Sequence, residues 1–380
     1  MKTIKKLKSY FLHSLLFLLP LGLLGLAWPH SASAQAKPDW EQRWGKVLTG
    51  AKKEGKVVVS GPPGEQIRDS MTQGFKKAFP GITIEYSGGR GGDLAAKIRP
   101  ERDGGVYSTD VVLSGTTTAL IYFTPMKALD PLEPALILPE VTNLQHWRNN
   151  TLEFADTETR SDLVFSEQVQ PVAIYDRKQV KIEEIDEVHE LLDPKWKGKI
   201  LINDPLPSGV GSTTFRWLWE VLGPAKATDY YRKIRSQAGA VTRDYRSQIE
   251  WIHQGKYAIL FGPATTIYQL EKVGLKFETL PDFKDYGGVL SAGFGSLMLL
   301  NKAPHPNAAT VFVNWLLSRD GQTAWTKGIG YPSRRLDVPT DEVPWYWLPR
   351  AGVKYWNSST YKAALRSAAE EEILKELFGR

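Results

Sequence analysis

VVVSGPPGEQIRDSMTQGFKKAFPGITIEYSGGRGG, residues 57–92, decides the fold class. The β-branched run Val57-Val58-Val59 ends at Ser60-Gly61 and reads as a strand. Ile67, Met71, Phe75 and Ala78 then recur at helical spacing on one face, until Pro80-Gly81 stops the helix. Ile82 to Tyr86 returns to strand and runs into a glycine-rich loop. Strand, helix and strand with short connections make a βαβ unit, which needs a parallel sheet covered by helices.

The same grammar extends outward. Upstream, Asp39 reads as an N-cap, with Trp40, Trp44, Val47, Leu48 and Ala51 at helical spacing and Gly55 as the stop. Downstream, Asp93 to Ile98 reads as helix and Asp110 to Leu113 as strand. A second round begins with strand Lys199 to Ile202, a turn through Pro205 to Gly209, and a helix carrying Phe215, Leu218, Trp219 and Leu222. Strand Tyr257 to Phe261 and the turn Gly262-Pro263 follow. No internal repeat or low-complexity linker separates the rounds, so two α/β lobes are expected to connect through strands. The expected crossings are Val172 to Tyr175 and Ser296 to Leu300, with a returning helix from Pro304 to Leu317. The expected organisation is a signal peptide over 1–34, a first lobe over 35–172, a second over 173–295 and a return over 296–340. Residues 341–380 hold Trp345, Trp347, Trp356 and a helix near Ala363 to Leu377, and the pattern assigns them to neither lobe.

Composition bounds the compartment and the partners. Lys2, Lys5, Lys6 and Lys8 precede an apolar run from Tyr10 to Trp28, and Ser31-Ala32-Ser33-Ala34 follows. That order is a secretory signal with cleavage expected after Ala34. Four lysines and no carboxylate leave with it, so the net charge drops from +6 to +2. The basic balance therefore sits in the leader, no Lys/Arg block of five survives, and nucleic acid is not an expected partner. With no cysteine, disulfides, thiolate metal sites, a cysteine nucleophile and a lipidated cysteine are all excluded. Retention then points to a periplasm.

Four groups of segments carry a family resemblance: FKKAFPGITIEYSG (75–88) with IRPERDGG (98–105) and DVVLSG (110–115); PVAIYDRKQV (171–180); LLDPKWKGKILINDPLPSGVG (191–211); and NKAPHPNAATVFVNWLLSRDGQ (301–322). In this order they resemble the extracellular solute-binding proteins of ABC importers, the branch that includes ferric-iron, sugar-phosphate, phosphonate, thiamine and polyamine binders. The resemblance covers about residues 45–335. It implies a type II periplasmic-binding-protein fold, a ligand cleft between two lobes, hinge closure, and an ABC permease in the inner membrane as partner of a monomeric receptor.

In open α/β sheets, ligands sit beyond the carboxyl ends of the strands. Here those loops are rich in glycine and hydroxyls: Ser60-Gly61, Ser87 to Gly92, Ser114 to Thr117, Ser208 to Thr213, and Gly262 to Thr265. Glycine lets backbone N–H groups approach a ligand, and a helix N-terminus offers unpaired donors to an anion. Candidate ligand contacts are Ser60, Gly88, Arg90, Ser114 and Gly115 from the first lobe and Ser208, Gly211, Ser212 and Thr265 from the second. Arg90 could grip a carboxylate or phosphate through two hydrogen bonds. Arg243 and the expected hinge residue Tyr175 are further candidates. The plainer reading makes these loops turns and the arginines solvated charges.

The resemblance to ferric binders would imply two adjacent tyrosinates where Thr265-Thr266-Ile267-Tyr268 stands, and the pair is absent. Tyr230-Tyr231 falls within a helical pattern and reads as core and surface. Among enzyme signatures there is no G-x-S-x-G, no GxxxxGK[ST] and no HExxH. His146, His189, His253 and His305 are scattered, and His253 reads as a helix end. The acidic runs Glu183-Glu184 and Glu370 to Glu372 read as solvated faces. The expectation is a receptor with no cofactor, no resident metal and no catalysis. Ferric iron held with an anion, a ligand-sensing subunit and a hydrolase remain as alternatives.

Overall fold

The run Val57-Val58-Val59 lies inside the strand Lys56–Gly61, flanked by helices Asp39–Glu54 and Glu65–Ala78. The computed structural model describes residues 38–207, 209–263 and 267–379. The expected signal segment, Ser208 and Thr265 lie outside the described residues.

Strand Lys56–Gly61 pairs in parallel with Thr83–Gly88 on one side and Val111–Ser114 on the other. Ser296–Leu300 then lies antiparallel to Val111–Ser114 and carries Asp162–Val164 and Leu129–Asp130. Glu153–Phe154 closes this seven-stranded sheet. The second sheet has the same plan. Ile200–Asn203 lies parallel between Ala238–Thr242 and Ile259–Phe261, and Ala173–Tyr175 runs antiparallel beyond them to reach Glu278–Leu280.

A third sheet joins the two. Gln168–Gln170, Gly288–Ser291 and Tyr355–Asn357 pair side by side. The first of these leads from the first sheet into the second, and the second leads back. The crossings therefore come one step earlier than the sequence suggested. Ala173–Tyr175 and Ser296–Leu300 already belong to the two lobe sheets, because both are buried runs that need sheet on either side.

Returning helices Pro306–Leu317 and Arg319–Ile329 pack against Asp39–Glu54 and Glu65–Ala78 respectively. Phe75 sits against Phe312 and Trp315, with ring centroids 5.7 and 5.2 Å apart. Burying such a ring contributes about 1.5–3 kcal/mol. The C-terminal segment, unassigned by pattern, is divided: Val343, Tyr346 and Trp347 join the larger core, where Trp347 packs on Tyr331, and the remainder belongs to the hinge and the second lobe. After strand Tyr355–Asn357, helix Ala368–Phe378 docks Leu374 and Phe378 into the second-lobe core beside Tyr231. Its acidic start is solvated only in part: Glu371 and Glu372 are exposed, while Glu370 is buried and forms a reciprocal capping box with Ser367. No helix among the described residues is long and apolar enough to cross a membrane.

Candidate functional site

Strand ends and helix starts from both lobes face a cavity of about 460 Å³, within the range of small-molecule sites. On the first-lobe side, Tyr86 donates its hydroxyl to the Pro62 carbonyl at 2.8 Å and so holds the Pro62-Pro63 turn that lines the cavity. Arg90 to Asp93 follow at the start of helix Gly91–Asp103, which has no side-chain cap. Its first turn, Gly91 to Asp93, lines the cavity. Gly91 must be glycine, since a Cβ there would stand 1.9 Å from Thr118 Oγ1. Ser114 to Thr118 and Tyr122 complete this wall, with the Ser114 hydroxyl donating to Thr118 Oγ1 at 3.2 Å.

The second-lobe wall is Pro207, Gly209, Val210 and Thr213 at the start of helix Val210–Leu222, with Arg243 and Tyr245 beside them. This helix start also lacks a side-chain cap. The hinge sheet supplies the floor through Gln170, Ser291 and the adjoining Gly293 and Ser358. Gln170 reaches across to donate to Thr214 Oγ1 at 3.1 Å, tying hinge to helix.

Charge is unevenly distributed in the cavity. Arg90 and Arg243 are its cations and Asp93 is the single carboxylate among the described lining residues. Arg90 stacks on the Tyr245 ring, 4.6 Å from its centroid, so the lobes touch across the cleft. Burial pushes the Tyr245 phenol up, against the opposing pull of Arg90 and Arg243. Asp244 is committed elsewhere, capping helix Tyr245–His253. The Ser247 hydroxyl first, then the Ser247 and Arg246 amides and the Arg90 charge, hold its carboxyl below the usual range against desolvation.

Of the candidates read from sequence, Arg90, Ser114, Gly115 and Arg243 line the cavity. Ser60, Gly88, Gly211, Ser212 and Tyr175 are not among its lining residues. Ser60 is buried at the end of its strand, and Gly88 packs by Pro63. Gly211 lets the helix start press on the strand end, where a Cβ would meet the Asn203 carbonyl at 2.5 Å. Ser212 is buried and receives hydrogen bonds from Arg366. Tyr175 is core, paired between two strands rather than standing at the hinge. Tyr230 and Tyr231 are both buried in the second-lobe core, where one of the pair was expected at the surface, and Tyr268 packs on Trp347 with centroids 5.3 Å apart. His253 ends its helix, accepting from the Lys276 N–H at 3.0 Å. Tyr122, Tyr245, Phe294 and Tyr331 line the cavity without a sequence signal, because an isolated aromatic reads equally as core.

A family model described as bacterial extracellular solute-binding protein matches residues 70–349, most of the chain. The chain belongs to the bacterial extracellular solute-binding proteins. Solved relatives share the fold of this solute-binding protein at low identity. The periplasmic binding protein AfuA from Actinobacillus pleuropneumoniae, with exogenous fructose-6-phosphate bound, is 18% identical with a TM-score of 0.65, over 86% of this chain and 97% of that one. Iron-bound HitA from Pseudomonas aeruginosa is 16% identical with a TM-score of 0.65, over 85% of this chain and 99% of that one. These likenesses make the architecture the two-lobed type II periplasmic-binding-protein fold. An uncharacterized protein of Haemophilus influenzae is 28% identical over 141 residues, which is 37% of this solute-binding protein and 39% of the relative's length.

Proposed function

We propose that this solute-binding protein works in the periplasm as the monomeric receptor of an ABC importer. It captures a small anion in the interlobe cavity, closes over it, and delivers it to an inner-membrane permease. The supporting observation is the pairing of two uncapped helix starts from opposite lobes with Arg90 and Arg243 around one cavity. Helix N-termini present unpaired N–H donors and the positive end of the dipole, so an anion placed between them is held by both lobes. A ligand shifts a two-state receptor only through contacts that differ between the states. An anion bridging the walls makes such contacts in the closed form alone.

Of the two cargoes carried by the structural relatives, an organic anion suits this lining better than ferric iron. Iron prefers a cluster of hard oxygen anions, and Asp93 is the single carboxylate among the described lining residues. Of the lining phenols Tyr122, Tyr245 and Tyr331, Tyr245 is stacked under Arg90 and pushed up by burial, which works against a tyrosinate there. The candidate contacts Arg90, Arg243, Ser114 and Gly115, together with the Gly91-Gly92 amides, fit a carboxylate or phosphate headgroup.

Native mass spectrometry of gently purified mature protein, paired with thermal-shift screening of phosphates, phosphonates, carboxylates, polyamines and ferric salts, tests this. Binding to the folded state raises stability by about 2.7 kcal/mol at a hundredfold excess over Kd. A released anion, or stabilisation by one anionic class without its consumption, is the expected result. Stabilisation by polyamines alone, or consumption of the ligand, overturns the reading.

A further inference from the structure

We propose that Arg366, from the C-terminal segment, is a positioning residue that holds the second-lobe wall of the cavity. The inference rests on that cavity being the binding site.

After the hinge strand Tyr355–Asn357 the chain passes the cavity floor at Ser358, and the Ser359 hydroxyl accepts from the Ala292 N–H at 2.7 Å. It is anchored at its far end by Leu374 and Phe378 in the second-lobe core. Between these points stands the half-buried Arg366. Its Nε and Nη2 donate to Ser212 Oγ at 3.1 and 2.5 Å, Nη1 donates to the Leu206 carbonyl at 2.9 Å, and Nη2 to the Pro205 carbonyl at 3.2 Å. These acceptors bracket Pro207, Gly209 and Val210, which form the wall.

Two features make this more than a tail contact. Pro205 and Pro207 have no N–H, so this stretch must be pinned largely through its carbonyls. The planar guanidinium fork matches acceptors from two points of the chain at once, which an ammonium cannot reproduce. Secondly, a cation beside a helix N-terminus opposes the dipole, so the stability of helix Val210–Leu222 does not account for the placement. Arg216, one turn further on, repeats the tie by donating to the Ala363 carbonyl. Its guanidinium is pushed down to about 10 by burial and by the neighbouring Arg366.

Amide hydrogen exchange on the full mature protein tests the inference without any ligand, so its outcome is separate from that of the anion screen. In Arg366→Gln, peptides spanning 203–213 should exchange about tenfold faster, the effect of losing a charge-assisted hydrogen bond, while 368–378 keeps its protection. Arg366→Lys, which keeps the charge and loses the fork, should loosen the same peptides to a smaller extent. Wild-type exchange over 203–213 in Arg366→Gln overturns the proposal, as does loosening confined to 368–378, which would make Arg366 only an anchor of the last helix. Should Arg366→Gln fail to fold, Ser212→Ala removes one acceptor and should speed exchange over 203–213. Unchanged exchange in that variant also overturns it.

Discussion

Asp162 is fully buried on the strand beside Ser296, whose hydroxyl donates to its Oδ1, while Oδ2 has no hydrogen-bond partner among the described residues. Desolvation, offset by the Ser296 hydrogen bond and reinforced by Asp156, pushes this carboxyl from 3.8 up to about 7. The folded state therefore holds a proton that the unfolded chain releases near 3.8. The stability contributed is full below that value and is lost as pH rises toward 7, by on the order of a few kcal/mol. Asp162→Asn should flatten this stretch of the stability-against-pH curve, as read by urea denaturation at a series of pH values. An unchanged slope would mean that Asp162 is ionised in the fold. At the cavity, Arg90→Ala removes both the proposed headgroup donor and the contact with Tyr245. Titration calorimetry with the anion found by the screen should show binding weakened at least about tenfold, the worth of one charge-assisted hydrogen bond. Arg90 was legible as a candidate because a planar charge in a glycine-rich loop beyond a strand end can grip an anion with two hydrogen bonds. Tyr245 was not, since nothing local distinguishes it from a core aromatic.

Elements were legible wherever a period-3.6 or β-branched run met a stop residue. The helix with Ile67, Met71 and Phe75 on one face is Glu65–Ala78, and the strand at Ser296 to Leu300 has the expected bounds. Boundaries slipped where the loop itself is helical. The helix expected from Asp93 begins at Gly91, because two glycines give no propensity signal and yet only glycine fits beside Thr118. The final helix begins at Ala368, set by the Ser367–Glu370 box, and not near Ala363. Its packing implies that the C-terminal segment is structural as well as positioning. Phe378→Ala should cost about 3–5 kcal/mol of unfolding free energy, the range for deleting a buried aromatic, measured by urea denaturation. A loss under about 1 kcal/mol would indicate a helix that frays from the lobe.

At the scale of the molecule, both lobe sheets place three parallel strands next to an antiparallel one, joined by a three-stranded hinge sheet. The Arg90–Tyr245 contact spans the cleft between them. Small-angle scattering should therefore give a larger radius of gyration for ligand-free protein than for protein saturated with its anion, since hinge motions of such receptors open the cleft. Identical profiles would contradict closure driven by the ligand. The sequence by itself determined the α/β class, the family resemblance, the excluded catalytic motifs and the loops from which a cavity could be built. Each of these is written in periodicity or composition within a few tens of residues. Only the tertiary structure decided that Arg90, Arg243, Ser114 and Gly115 share one cavity while Ser60, Gly88, Gly211, Ser212 and Tyr175 do not line it. It likewise decided that residues 355–378 complete the hinge and brace the second-lobe wall. A short loop's sequence reports its backbone freedom, but which side chains converge depends on sheet order and on contacts such as Arg366 to Ser212, 154 residues apart. No local pattern encodes these contacts.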